Sequence, residues 1–134
     1  MAFQNYLMRI GGTALPYELI QLGSYKATPN QRQDLDSYRD NSGYLHRNTL
    51  AHTATKIEFN TVPMTESQKE SLMQIFRSNF TSEKERKLSA NYYDPETSTY
   101  KTGTFYMPDI EFQLYTVDEN GVLWYDSFRV AFIE

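Results

Sequence analysis

Hydrophobic and polar positions change period several times along the chain, and each change marks an element. Residues 2–10 alternate loosely around Phe3, Leu7 and Met8 and run into Gly11-Gly12, after which Leu15-Pro16 precedes residues 17–22. Short apolar runs punctuated by Gly and Pro predict two short strands joined by a turn. Residues 24–55 break that pattern: aliphatics are few, Pro29, Asn30, Asp40, Asn41 and Gly43 interrupt, and Tyr25, Tyr38 and Tyr44 are spread through a polar background. The turn chemistry of Arg39-Asp40-Asn41-Ser42-Gly43, set between 34–38 and 44–50, predicts a long two-stranded arm projecting from the body. A lone hairpin buries too little surface to be stable, so something must cover it.

Residues 56–62 alternate cleanly, Ile57, Phe59 and Thr61 against Lys56, Glu58 and Asn60, as a half-buried strand does. Pro63 ends it. Thr65 followed by Gln68 reads as a capping box, with Glu66 well placed for the helix dipole. Leu72, Phe76 and Phe80 then recur every four residues with Met73 beside them, predicting a helix over 65–80 with one apolar stripe. Such a stripe is far more often core than cofactor pocket. Residues 87–93 and 100–107 flank Asp94-Pro95, a turn opener, and form a predicted hairpin. Residues 110–117 alternate Ile110, Phe112 and Leu114 against Glu111, Gln113 and Tyr115. Residues 122–133 answer with Trp124, Phe128, Val130 and Phe132 on one face. Asn120-Gly121 between them is a strong hairpin signal because both residues tolerate positive φ.

The element order predicts an α+β fold: one domain over 1–134, an antiparallel β-sandwich or barrel-like sheet with one packed helix and the projecting arm at 24–55. Phe59, Leu72, Phe76, Phe80, Phe112, Trp124, Phe128 and Phe132 are its expected core. A chain of 134 residues with 40% hydrophobic and 15% aromatic content can fill such a core. The longest apolar stretch is a few residues, well short of the roughly 20 that span a bilayer, and residues 1–11 lack the charged start and apolar centre of a signal peptide. No membrane partner is expected.

Charge and chemistry narrow the function. A net charge of −4 is the wrong sign for gripping nucleic acid. Its distribution is uneven. Between 24 and 56, Lys26, Arg32, Arg39, Arg47 and Lys56 outnumber Asp34, Asp36 and Asp40, whereas between 88 and 134 eight acids face Lys101 and Arg129. One end of the chain could thus attract the other end of a copy, although exposed charges are most often solvated faces. No cysteine means no disulfide, thiolate nucleophile or Cys-held metal. No nucleophile elbow or phosphate loop is present, and Ser89 and Ser127 have no fixed relation to His46 or His52. His46 and His52, six apart, could share a strand face with Asp40 or Asp36, and Asp109 and Glu111 could sit about 7 Å apart on another. Solvated side chains are much the commoner outcome for both. No catalytic residue, metal or cofactor is expected. Tyrosine is in excess, 11 in all, and exposed aromatics beside an unsupported arm suggest a protein–protein surface.

Ala90-Asn91-Tyr92-Tyr93-Asp94-Pro95 followed by Thr102-Gly103-Thr104-Phe105-Tyr106, the opening Arg9-Ile10-Gly11-Gly12 with Leu15-Pro16, the Asn-Gly hairpin with Trp124 and the closing Phe128-Arg129-Val130-Ala131-Phe132-Ile133-Glu134 resemble a family of small uncharacterised tail proteins of long-tailed phages and prophages. The motifs spread over nearly the whole chain, and the element order is similar to that of tail-tube proteins and the ring-forming domain of distal tail proteins. The arm here is longer and more polar, and tyrosines are more numerous. The resemblance implies a non-enzymatic virion protein: a tail subunit of tube or tip that forms a ring, hexameric by analogy, around the DNA conduit after assembly in the host cytoplasm. Its neighbours would be the tail tube, tape measure and tail hub, with DNA only passing through the lumen. A tail terminator or connector at the head–tail junction is the alternative, and a monomeric ligand-binding module with a tyrosine-lined pocket a more distant one. The expected oligomer interface is Tyr25, Lys26, Arg32, Tyr38, Arg39, Tyr44 and Arg47.

Overall fold

In the computed structural model, which describes residues 3–134, alternating segments become strands and the one helical stripe becomes a helix. In chain order these are β1 (Met8–Ile10), β2 (Thr13–Ala14), a 3-10 turn at Tyr17–Leu19, β3 (Lys26–Asp34), β4 (Tyr38–Arg39), β5 (Leu45–His46), β6 (Thr49–Asn60), β7 (Met64–Thr65), α1 (Glu66–Arg77), β8 (Phe80–Ser82), β9 (Lys87–Asp94), β10 (Thr99–Tyr106), β11 (Leu114–Val117), β12 (Leu123–Tyr125) and β13 (Arg129–Ile133). Every pairing is antiparallel. The large sheet runs β2-β1-β9-β10-β13-β6-β3, with β8 also on β9, and a small sheet runs β11-β12-β7. The large sheet does not close into a barrel, because β2 and β3 remain its ends.

β10 and β13 share the single register pair Tyr106↔Ile133, so the large sheet is two ladders meeting at a corner. Alternation points Met8, Ile10, Leu88, Ala90, Tyr92 and Phe105 from one ladder, and Ile57, Phe59, Val130 and Phe132 from the other, into one buried cluster. Phe132 holds it together: its ring lies 6.5 Å from Phe59, 6.3 Å from Phe105 and 5.8 Å from Phe76 of α1. This shared cluster fits the sandwich alternative of the expected fold.

The helix begins as predicted. Thr65 Oγ1 accepts from Gln68 N, the Gln68 side chain accepts from Thr65 N, and Leu72, Met73 and Phe76 are its buried residues. Glu66 in its first turn accepts from the Tyr125 hydroxyl, and Lys69 Nζ lies 5.2 Å over the Tyr125 ring, fixing β12 to the helix start.

Several expectations are corrected. The strand expected from Ala2 begins outside the described residues, and within them pairing starts at Met8. Residues 17–22 hold a 3-10 turn, because Pro16 leads in and Leu19 N bonds Pro16 O, leaving Ile20 as a lone bridge to Thr61. The helix stops at Arg77, where Ser78 caps it, so Phe80 opens β8 and is only half-buried. Residues 108–113 form no strand, which leaves Phe112 40% exposed, though its ring still lies 5.0 Å from that of Phe128. Residues 122–133 split at 126–128 into β12 and β13, which serve different sheets. That break resets the alternation: Tyr125 is buried and Trp124 half-buried, its Nε1–H donating to Asp118. Phe59, Leu72, Phe76, Phe128 and Phe132 are buried.

Candidate assembly surface

β3 and β6 pair from Lys26↔Glu58 out to Asp34↔Thr49, and β4 pairs β5 beyond them. The body strand predicted at 56–62 is therefore continuous with the hairpin, since β6 alone spans Thr49–Asn60. No residue between Ile20 and Thr55 is buried.

At the root of the hairpin the ladder is bulged. Pro29 and Asn30 together oppose Thr55, with Asn30 at φ 53°, a left-handed conformation that Asn tolerates better than most residues. A proline cannot donate to a ladder, so a bulge is one of the few strand positions open to it. The bulge aims Asn30 at the turn between β9 and β10. Its Nδ2 donates to Asp94 Oδ2 at 2.8 Å and to Glu96 Oε1 at 2.7 Å, its backbone N–H donates to Thr55 Oγ1 at 3.2 Å, and Lys101 Nζ donates to its Oδ1 at 3.3 Å. Asp94 is fully buried and also takes Lys101 Nζ at 2.9 Å and Glu96 N at 2.9 Å. Burial alone would raise the Asp94 pKa, but Lys101, Asn30 and the Glu96 amide outweigh it and hold the carboxyl at about 2. The hairpin is thus clamped to the body by a satisfied polar knot.

The tip is stabilised within itself. Asp40 Oδ1 accepts from Ser42 N and Tyr44 N, His46 Nε2 lies 2.7 Å from Asp40 Oδ2, and Tyr38 stacks on the His46 ring at 5.0 Å. His46 and the Tyr44 amide hold the Asp40 carboxyl below the ordinary range. Arg47 donates to Asp34 Oδ1 through Nη2 at 2.6 Å and Nε at 3.0 Å. Among its exposed side chains are five large apolar ones: Leu35, Tyr38, Tyr44, Leu45 and Leu50.

Among the residues expected at an interface, Arg32, Tyr38, Arg39 and Tyr44 are exposed on the hairpin, with Arg47 engaged by Asp34. Lys26 is exposed at the base. Tyr25 stands apart from them, half-buried and stacked 5.9 Å from Phe59, with its buried hydroxyl meeting no partner among the described residues. Burial, and then the nearby Tyr17, push that hydroxyl's pKa up. Leu35, Leu45 and Leu50 were not legible as surface, because isolated leucines in a polar segment carry no periodicity. The Asn30–Asp94 contact was not legible either, since it joins residues 64 apart.

The other sites weighed do not assemble. His46 belongs to the tip pair while His52 lies on β6, and no group of three or more metal-ligating side chains occurs among the described residues. Asp109 pairs with Arg86 at 3.3 Å in the irregular segment before β11, so Asp109 and Glu111 share no strand face. Clefts beside Arg129 and beneath α1 carry no tyrosine, and one bordered by His52, Lys87 and Glu134 carries Tyr106 alone. No helix among the described residues is long and apolar enough to cross a membrane.

Against known proteins, the model of a family of unknown function, DUF6711, matches residues 1–134. No curated protein matches the sequence. Among solved structures, a chain described as the tail of an empty GTA particle, computed with helical refinement and C6 symmetry, is similar in fold: TM-score 0.50 and 14% identity, covering 98% of this chain and 94% of that one. The fold is therefore tail-protein-like.

Proposed function

The chain belongs over its whole length to the DUF6711 family of unknown function, and from its fold and hairpin we propose that it is a structural subunit of a phage tail that closes into a homo-oligomeric ring, the hairpin of each copy lying on the body of the next. The observation that carries this reading is the hairpin itself: a stretch with no buried residue, bearing exposed Leu and Tyr, yet clamped at its root by a buried carboxylate. A lone chain gains nothing from clamping such a hairpin at its root. A neighbour that covers it does. The likeness in fold to a chain of a C6-symmetric tail particle supports the same reading, and a six-membered ring located in the virion is the form the proposal takes. The acidic net charge suits a DNA conduit, which should repel phosphate rather than hold it.

The test is the mass of the purified protein by light scattering, with electron microscopy of the same sample and of the parent particle labelled on this chain. Rings, or a monomer that assembles on tail components and appears in the tail, support the proposal. A monomer absent from the particle overturns it.

A further inference from the structure

The hairpin needs a counterpart, and the rest of the molecule offers one. β11 is exposed at all four positions, so neither of its faces packs on the body; Tyr115 is 67% and Val117 61% exposed. It ends the small sheet, and among the described residues no strand pairs its outer edge. Proteins ordinarily blunt such an edge with a charge, a proline or a bulge turned outward. Leu114-Tyr115-Thr116-Val117 contains neither charge nor proline; its one interruption is a bulge at Tyr115, since Leu114 pairs Tyr125 and Thr116 pairs Trp124, and Thr116-Val117 beyond it run in regular register.

Charge agrees with shape. From Met107 to Phe128 the chain has Asp109, Glu111, Asp118, Glu119 and Asp126 and no Lys or Arg, and among the described residues only Asp109 of these finds a cationic partner. On the hairpin, Arg47 is taken by Asp34, but Arg32 makes no ion pair among the described residues and Arg39 bonds the Gly43 carbonyl of its own turn. Two different apolar patches on one chain, one with spare cations and the other with spare anions, fit a heterologous, head-to-tail contact.

We propose that the outer edge of β11 is the acceptor, in the next copy, for the distal hairpin beyond the Pro29-Asn30 bulge. This rests on the ring reading and names the surface that the hairpin meets. The occupant is a second copy of this chain because the complement in both apolarity and charge lies on the same chain.

The absence of cysteine makes the test clean. Leu45→Cys in one preparation and Leu114→Cys in another, both at exposed positions, are mixed under conditions that give assembly and treated with a short thiol–thiol cross-linker. A Leu22→Cys preparation, 97% exposed and beside Lys26 and Asn60 at the base of the β3–β6 ladder, replaces Leu114→Cys as the control. Thiols held together at effective millimolar concentration react about a hundredfold faster than the same chains at about 10 μM. A mixed dimer formed at that advantage over the control supports the proposal. Rings that assemble normally but give no cross-link above control overturn it and leave the ring reading standing. A wild type that assembles neither alone nor with tail components, and is absent from the particle, overturns both.

Discussion

Neutralising Asp94 in place tests whether the knot at the hairpin root stabilises the protein electrostatically. In Asp94→Asn the shape is nearly kept, while the charge that Lys101 Nζ meets at 2.9 Å and Asn30 Nδ2 at 2.8 Å is lost. The carboxyl titrates at about 2 in the folded chain against an ordinary 3.8, a difference of roughly two pH units and so about 2.5 kcal/mol at most. Lys101 is 38% exposed, and solvent screening of that partner brings the expectation to about 1–2 kcal/mol. For a chain of this size that lowers Tm by roughly 3–10 °C. The folded pKa is depressed, so this stability is fully present above about pH 4, declines as pH falls from there to about 2, and is gone below. Wild type and Asp94→Asn should therefore differ by urea unfolding at pH 7 and converge between pH 4 and 2. Subtracting one from the other removes the other depressed carboxylates, Asp40, Glu58, Glu66 and Asp118, which both proteins share. A gap that stays constant from pH 5 to 2 would refute the electrostatic account, whatever its size at pH 7.

Phe76→Ala should cost about 3–5 kcal/mol, since the side chain is buried against Phe132, whereas Gln74→Ala on the exposed face should be nearly silent in the same unfolding assay. Equal effects would contradict the helix's orientation. Tyr25→Phe removes a buried hydroxyl that meets no partner among the described residues and should leave stability unchanged or raise it by up to about 1 kcal/mol; a loss of about 1 kcal/mol would mean the hydroxyl is satisfied. Replacing residues 35–48 by a two-residue turn should leave a folded body that no longer assembles, and loss of folding would show the tip to be structurally required. In the monomer, amides of β4 and β5 should exchange fast and become protected on assembly; protection already present in the monomer would count against an interface. Arg32→Glu should slow assembly at low salt and lose its effect near physiological ionic strength, where exposed charges are screened beyond about 8 Å. Equal rates at low salt would leave apolar contact alone.

The sequence was most legible where a local pattern and the final packing agree. Thr65 and Gln68 predict a helix start because both partners of the cap lie within one turn, and β9 and β10 are predicted to within a residue because Asp94-Pro95 sits between two alternating runs. Where long-range packing decides, the local pattern misled. A single alternating run at 122–133 became two strands in two sheets, since Tyr125 must meet Glu66 of α1 while Phe132 must reach the central cluster. The Asn-Gly turn behaves similarly: Gly121 alone takes positive φ, and Asp118 organises the loop by accepting from Asn120 N and Val122 N. Asp40 does the same at the hairpin tip, accepting from Ser42 N and Tyr44 N ahead of Gly43 at φ 88°. Asp-x-x-Gly was the common signal in both loops.

The charge asymmetry shows why composition is a poor guide to an interface. Five cations against three acids in residues 24–56 read as a positive arm. Folding consumes much of that surplus locally: Arg47 goes to Asp34, Lys56 lies 4.0 Å from Glu58, and Arg39 turns back on Gly43. The acidic half is depleted less, because residues 107–128 contain no cation of their own and, among the described residues, only Arg86 reaches in. The proposed interface between the two would then be driven from the acidic side and held by leucine and tyrosine. Exposed pairs contribute about 1 kcal/mol or less, whereas burying one large apolar side chain contributes roughly 1.5–3 kcal/mol. Removing Tyr44 or Tyr115 should accordingly weaken the assembled state more than reversing Arg32, while Arg32 governs how fast copies meet. Dissociation and association rates measured on the three variants separate the roles, and an Arg32 variant that dissociates faster than either tyrosine variant would reverse that order.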